Sequence, residues 1–221
     1  MRKRSVIVIT IAAVGALVTL GAQSAAAATN ICIAANGAVR HQSGTSTCDA
    51  NGTGSVAIAH GDASSATATD GDHNRARVMG DNSTAAAAGG NDNTATVTGD
   101  GSVAFATLGD DNTATARGDG NFVVAQQGNG NTATATGDGN FVIAGFGNNN
   151  TSTATGDGSV ALTGFGDSNT ASVVGDDSQA VAAFGNNNDA TVVGDGSDAS
   201  AIASGGCTAT AIGDGVTDTC P

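Results

Sequence analysis

The side chains of this chain that could carry chemistry are aspartate, cysteine, histidine and threonine, and aspartate recurs at fixed spacing. A Gly-Asp pair returns every 19 residues from Gly61 to Gly213. Repeated carboxylates in glycine turns are typical of calcium-binding β-rolls, so calcium at the Gly-Asp turns is one alternative function. The GGxGxDxUx motif of those rolls is absent. No cofactor or confident metal site is therefore predicted.

No group of residues indicates catalysis. His41, His60 and His73 do not cluster in sequence with cysteine, and no Ser-His-Asp or Cys-His spacing stands out. An acid/base pair cannot be chosen from a column of equivalent carboxylates. A uniform repeat also offers no evident pocket. The sequence therefore predicts that this protein is not an enzyme.

Four cysteines, Cys32, Cys48, Cys207 and Cys220, are present. An even number in an exported chain indicates disulfides, and four cysteines allow three pairings. We favour Cys32–Cys48 and Cys207–Cys220, because the two pairs lie at opposite ends of the repeats. The alternative, a metal site, lacks CxxC spacing and nearby histidines.

The N-terminus predicts export. Basic residues at 2–4 precede an apolar run at 5–20, and small residues follow. This is the pattern of a secretory signal peptide, and the run is short for a membrane span. We expect cleavage after Ala26 or Ala28, a secreted or cell-surface location, and no membrane span afterwards. Removing the three basic residues takes the net charge from −13 to −16, which argues against a nucleic-acid partner.

The repeat predicts the fold. Four copies between residues 118 and 194 begin GDGNFVVAQQ, GDGNFVIAGF, GDGSVALTGF and GDDSQAVAAF. Self-similarity at a fixed period indicates stacked units, and abundant Thr, Val and Gly favour strands and turns. We predict an all-β solenoid with two strands per 19-residue coil. Its divisions are a signal peptide (1–28), an N-terminal cap (29–51), the solenoid (52–206) and a C-terminal cap (207–221), with one disulfide in each cap.

Strand alternation predicts which side chains are buried. In one strand of each coil, Arg117 shares a face with Thr113 and Thr115, so that face is expected outside and its alanines inside. In the other strand we expect the larger set inside, because large residues opposite alanine would fill a core at normal density. The predicted core ladder is Phe122, Val124, Phe141, Ile143, Val160 and Leu162.

Two further columns follow from the repeat. An asparagine at one fixed position predicts a ladder of amides: Asn112, Asn131, Asn150, Asn169 and Asn188. Phe146, Phe165 and Phe184 form an outward apolar column, which predicts an association face. The alternative is that these rings fold over the corner as local core.

One unit resembles a known family. Residues 120–137, GNFVVAQQGNGNTATATG, are similar to the curlin repeat of bacterial curli fibre subunits, roughly S-x5-Q-x-G-x-G-N-x-A-x3-Q. The matching residues are Gln126, Gly128, Gly130, Asn131 and Ala133. The leading Ser is replaced by Gly120 and the closing Gln by Gly137. The resemblance implies a two-stranded β-solenoid with Phe122, Val124, Gln126, Asn131, Ala133 and Ala135 inside.

The predicted function follows from these surfaces. We expect a curlin-like component of a surface fibre, matrix or adhesive layer, which associates with itself or with other surface proteins through regular β-faces. The Thr-x-Thr columns resemble those of insect antifreeze proteins, which implies ice binding as an alternative. That predicted Thr face consists of Thr113, Thr115, Thr132, Thr134, Thr151 and Thr153.

Overall fold

The computed structural model describes residues 30–203 and 205–220, so the predicted signal peptide lies outside the described residues. These residues form an all-β solenoid of 21 strands, with no helix among them. The strands are β1 (Ile31–Ala35), β2 (Ala38–Ser43), β3 (Thr47–Ala50), β4 (Val56–His60), β5 (Ser65–Thr69), β6 (Arg75–Met79), β7 (Thr84–Ala88), β8 (Thr94–Thr98), β9 (Val103–Thr107), β10 (Thr113–Arg117), β11 (Phe122–Gln126), β12 (Thr132–Thr136), β13 (Phe141–Gly145), β14 (Thr151–Thr155), β15 (Val160–Gly164), β16 (Thr170–Val174), β17 (Gln179–Ala183), β18 (Asp189–Val193), β19 (Asp198–Ile202), β20 (Thr208–Ile212) and β21 (Thr217–Cys220).

Each coil contributes one strand to each of two sheets, as the repeat predicts. The sheet that we call the Thr sheet has the order β2-β1-β4-β6-β8-β10-β12-β14-β16-β18-β20. The sheet that we call the Phe sheet has the order β21-β19-β17-β15-β13-β11-β9-β7-β5-β3. From β4 onwards the Thr-sheet strands pair in parallel at a register of 19 residues, so that Thr113 lies beside Thr132. Equivalent residues therefore form straight columns along the rod.

The turns between the sheets are short, because glycine and small polar residues adopt left-handed backbone there. Residues 118–121 link β10 to β11, and residues 127–131 link β11 to β12. Gly128 has φ 150°, and a Cβ at this position would collide with the carbonyl oxygen of Gly147 in the next coil. Only glycine tolerates that approach, which explains why this column repeats without change in the middle coils.

The core between the sheets is thin and consists mainly of alanine and valine. The inward residues include Ala114 and Ala116 on the Thr sheet and Val123 and Ala125 on the Phe sheet, all with no exposed area. The prediction that the alanines of the Thr sheet face inward is confirmed. The Ser152 hydroxyl makes polar contacts from the Thr sheet to the Phe sheet: it lies 3.0 Å from the Thr163 hydroxyl and donates to the Ile143 carbonyl at 2.6 Å.

The predicted core ladder is wrong. Phe141 is exposed, and Phe122, Ile143, Val160 and Leu162 are partly exposed on the outer face of the Phe sheet. Val124 is buried, but it lies on the same outer face, in register with Phe105 and Ile143 of the adjacent coils. The short turns bring the sheets too close for aromatic side chains, so the alanine set faces inward.

The two ends of the rod differ. At the N-terminus, β1 pairs antiparallel with β4 and β2 pairs antiparallel with β1, so this end breaks the parallel stack. Cys32–Cys48 closes it, and Cys207–Cys220 closes the other end, which confirms the predicted pairing. The C-terminal segment differs from the expected separate cap, because β20 and β21 keep the parallel register and form the last coil.

Candidate association surface

The outer face of the Phe sheet carries a continuous apolar patch between β9 and β17, which we call the apolar face. Its columns are Val103, Phe122, Phe141 and Val160; Phe105, Val124, Ile143, Leu162 and Val181; and Leu108, Phe146, Phe165 and Phe184. Beyond it, the same columns hold Thr84 and Ala86 on one side, and Asp198 and Ser200 on the other. Polar residues therefore delimit the patch at the C-terminal side.

The column Phe146, Phe165 and Phe184, which we call the Phe ladder, contains the two most exposed side chains of this surface. The exposed fractions of the three residues are 39%, 56% and 60%. Adjacent rings stack in parallel, with centroid distances of 4.8 Å and 5.1 Å. The rings are exposed as the association-face prediction expects, and they do not fold over the corner as core.

The backbone of the Phe ladder is unusual. Phe146, Phe165 and Phe184 have φ of 58°, 56° and 60°, a region that bulky residues rarely occupy. In other coils the same column holds Asp70, Gly89, Leu108 and Gln127, all with positive φ. The coil turn thus imposes a backbone that is unfavourable for a bulky side chain, and here it places three rings in solvent.

A groove runs beside the Phe ladder, parallel to the rod. One wall is the Phe ladder, and the other is a ridge of Ile143, Leu162 and Val181, which we call the aliphatic ridge. The column Gly145, Gly164 and Ala183 lies between them and leaves a volume of about 230 Å³. At Gly145 a Cβ would lie 2.6 Å from the carbonyl oxygen of Gln126, so the backbone itself keeps this position small.

Two buried polar ladders hold the coils at constant spacing beneath these surfaces. In the predicted Asn ladder, the Asn131 Nδ2 donates to the Gly147 carbonyl at 2.8 Å, and its Oδ1 accepts from the Asn150 N–H at 3.0 Å. The side chains thus bond to the backbone of the next coil, whereas the prediction had them bonding to each other. Asn112, Asn131, Asn150, Asn169 and Asn188 are all buried.

The sequence reasoning missed a second ladder, at the start of the Phe-sheet strands. Ser102 Oγ donates to the Gly118 carbonyl at 2.8 Å and accepts from the Asn121 N–H at 3.0 Å. Its register could have been found from the 19-residue spacing, but serine is so common here that the column did not stand out. Its members are Ser64, Ser83, Ser102, Asn121, Asn140, Ser159, Ser178 and Ser197.

The Gly-Asp column has a structural role in every coil. The Asp138 carboxylate accepts a hydrogen bond of 2.8 Å from the Asp119 N–H, and the Asp157 carboxylate accepts one of 2.8 Å from the Asp138 N–H. These carboxylates are exposed. Within residues 30–203 and 205–220, no three His, Cys, Asp or Glu side chains converge as metal ligands would. The calcium alternative therefore gains no support from the geometry.

The Thr face lies on the opposite side of the rod, on the outer face of the Thr sheet. Thr113 and Thr115 lie in register with Thr132 and Thr134, and these four residues are partly exposed. The flanking coils break the pattern: Arg75 and Arg77 on one side, Asp189 on the other. The array of threonines is therefore regular over the middle coils only.

A scan against protein-family models found no match, and searches of curated proteins and of solved structures found no similar chain. No helix of the described part of the chain is long and apolar enough to cross a membrane. The two disulfides indicate an oxidising environment.

Proposed function

We propose that this chain is an exported, non-catalytic structural protein that builds lateral contacts in a surface fibre, matrix or adhesive layer. The single observation that carries the proposal is the apolar face, on which the Phe ladder projects into solvent from a strained backbone. Contiguous exposed apolar patches mark association sites. The apolar run at the N-terminus and the disulfides support export, and the resemblance to curlin repeats supports a role in surface assemblies.

The ends of the rod favour contacts through the sides. At the N-terminus the antiparallel β2 forms the edge of the Thr sheet and carries Arg40 and His41, so a second rod cannot continue the parallel stack there. At the C-terminus the Asp218 carboxylate accepts a 2.7 Å hydrogen bond from the Thr210 N–H, a donor that a further coil would otherwise engage. The antiparallel β2 and the Asp218 hydrogen bond both oppose end-to-end growth, so the apolar face remains as the surface for assembly.

The test compares the chain from Thr29, which contains every described residue, with a variant that carries Phe146→Asn, Phe165→Asn and Phe184→Asn. Both are applied to octyl-coated beads, and their size is followed over days by light scattering and electron microscopy, with disulfides intact and reduced. We expect the wild type to adsorb and associate and the variant to do neither. Equal behaviour of the two proteins would contradict the proposal.

One observation favours a second candidate, ice binding by the Thr face. Two outward threonines per strand repeat in register over four coils, which gives a flat array with spacings of about 7 Å along the strand and about 4.8 Å between coils. Thermal hysteresis of the wild type is the measurement. Thr134→Arg is the matched variant, because Arg77 already occupies this column. If the Thr face binds ice, the wild type shows thermal hysteresis and Thr134→Arg abolishes it.

A further inference from the structure

We propose that the partner of the apolar face is a second copy of this chain, whose Phe ladder fills the groove in a side-by-side dimer with parallel rods. This inference rests on the proposed function, because it names the partner of the same surface. The dimer axis would run parallel to the rods, so both copies contribute the same residues.

The shape of the surface is self-complementary. The Phe ladder and the groove are adjacent columns, and both run along the rod. A half-turn about an axis between them, parallel to the rod, places the ladder of each copy in the groove of the other at the same level. Because the coils repeat at one spacing, a fit of Phe165 against Gly164 also fits the coils above and below. Interdigitation of identical side chains between sheets is a known dry packing mode.

The orientation of the rings disfavours a sugar or a cation as partner. In Phe165 both ring faces are covered, one by Phe146 and the other by Phe184, at interplanar angles of 9° and 4°. A sugar or a cation would need an open ring face. The exposed ring edges instead suit insertion between apolar side chains. The aliphatic ridge of a second copy supplies these side chains.

The distribution of charge points to a partner that is itself anionic. In the four coils before the Phe ladder, the two middle positions of the turn after the Phe-sheet strand carry four carboxylates among eight residues, Asp72, Asp92, Asp110 and Asp111, and the coil next to the ladder has Asn129 and Gly130. In the three coils of the ladder, the same two positions hold Asn148, Asn149, Asp167, Ser168, Asn186 and Asn187, with one carboxylate among six residues. A cationic partner would favour carboxylates at this border. The lower density of carboxylates beside the ladder suits approach by another chain whose net charge is −16 once residues 1–28 are removed.

The size of the patch sets the strength of the contact. The five strands β9, β11, β13, β15 and β17, at about 4.8 Å spacing and about six residues in width, give roughly 480 Å² per copy. Because only the Phe ladder, the groove and the aliphatic ridge face the other copy, the two copies together would bury less than the roughly 1,000 Å² of both patches, which is below the usual size of specific interfaces. The dimer is therefore reversible and depends on concentration.

The first experiment is sedimentation velocity of the chain from Thr29, from about 1 µM to about 1 mM. We expect a monomer–dimer equilibrium for the wild type, and monomer throughout for the triple variant Phe146→Asn, Phe165→Asn and Phe184→Asn. Val174→Asn is the matched control, because it exchanges an apolar side chain of 49% exposure on the Thr sheet, outside the apolar face. We expect it to dimerise like the wild type.

The second experiment tests the charge argument without removing the rings. Asn148→Asp with Asn186→Asp keeps the oxygens that accept from the Asn129 and Asp167 N–H groups but removes the 3.1 Å bond from Asn148 Nδ2 to the Asp167 carboxylate, so unfolding of the variant is measured alongside. We expect at least a tenfold weaker dimer in low salt, with recovery as salt is added. Asn91→Asp makes the same change in the same column outside the ladder, and we expect it to leave the dimer unchanged.

The outcomes separate this inference from the proposed function. A wild type that adsorbs to octyl beads through the Phe ladder but stays monomeric would overturn the second copy as partner and leave the interaction surface intact. A dimer that persists in the triple variant would place the contact on another face. Loss of both adsorption and dimer in the triple variant supports both proposals.

Discussion

The rings of Phe146 and Phe165 lie 4.8 Å apart with 9° between their planes, although both residues have left-handed backbone. The stacking and the register of the coils hold the side chains in a column, while the backbone conformation alone is unfavourable for phenylalanine. A substitution in this column can therefore change association through the surface without a comparable change in the stability of the fold.

Asparagine tolerates φ near 56°, so relief of backbone strain of about 1–2 kcal/mol offsets much of the loss of two stacked ring pairs, about 1–3 kcal/mol in total. We therefore predict that Phe165→Asn lowers the free energy of unfolding by less than about 2 kcal/mol. Denaturant unfolding of the dilute monomer measures the change. A loss of about 3 kcal/mol or more would mean that the ring is part of the core.

The buried Asn ladder carries much of the stability between coils. Asn131→Ala leaves the Asn150 N–H and the Gly147 carbonyl without their partner, and we predict a loss of about 2–4 kcal/mol. Asn131→Ser is the control, since Ser102 makes both equivalent bonds in the other column. We expect Asn131→Ser to lose about half as much stability as Asn131→Ala. Thermal unfolding of both variants measures the two losses of stability. Equal losses in Asn131→Ala and Asn131→Ser would contradict the role of the ladder.

In the Gly-Asp column, Asp138→Asn should raise stability at low ionic strength by up to about 1 kcal/mol. The amide oxygen still accepts from the Asp119 N–H, while repulsion from the neighbouring carboxylates falls. The gain should shrink as salt screens the charges. Asp138→Ala loses the acceptor and should destabilise the fold. Unfolding at several salt concentrations checks both, and a gain that does not depend on salt would contradict the electrostatic cause.

The C-terminal edge is protected by a single carboxylate. Asp218→Ala removes the acceptor of the Thr210 N–H, so we predict faster amide hydrogen exchange at Thr210 and pairs of rods joined at their C-terminal edges in electron micrographs, since β2 still covers the N-terminal edge. Asp218→Asn retains an acceptor oxygen and is the control. Unchanged exchange in the alanine variant would mean that Asp218 does not protect the edge.

The sequence predicted the architecture because period and glycine spacing are direct consequences of stacking. The return of Gly-Asp every 19 residues determined the coil length, and the positions of Cys32, Cys48, Cys207 and Cys220 predicted the two bridges. The position of the Asn column was also predicted. These features depend on backbone geometry, which repeats with the sequence.

The facing of the Phe sheet could not be obtained from the same pattern. Alternation shows that Phe122 and Val123 lie on opposite sides, but not which one is inside. Aromatic rings would fill the core only if the two sheets lay far apart. Short turns such as 118–121 bring the sheets so close that mainly alanine fits between them. In a soluble globular core the larger set is normally inside. Here its exposure is the main evidence for the candidate site.

The measurement that tests the central claim most directly uses Phe165→Trp, because the chain has no other tryptophan or tyrosine. Fluorescence emission and acrylamide quenching are recorded while the protein concentration is raised. If the Phe ladder is an exposed association surface, the dilute protein shows red-shifted, quenchable emission that becomes blue-shifted and protected on concentration. Emission that is blue-shifted and protected at every concentration would place the ring in the core. Emission that stays red-shifted throughout would contradict self-association.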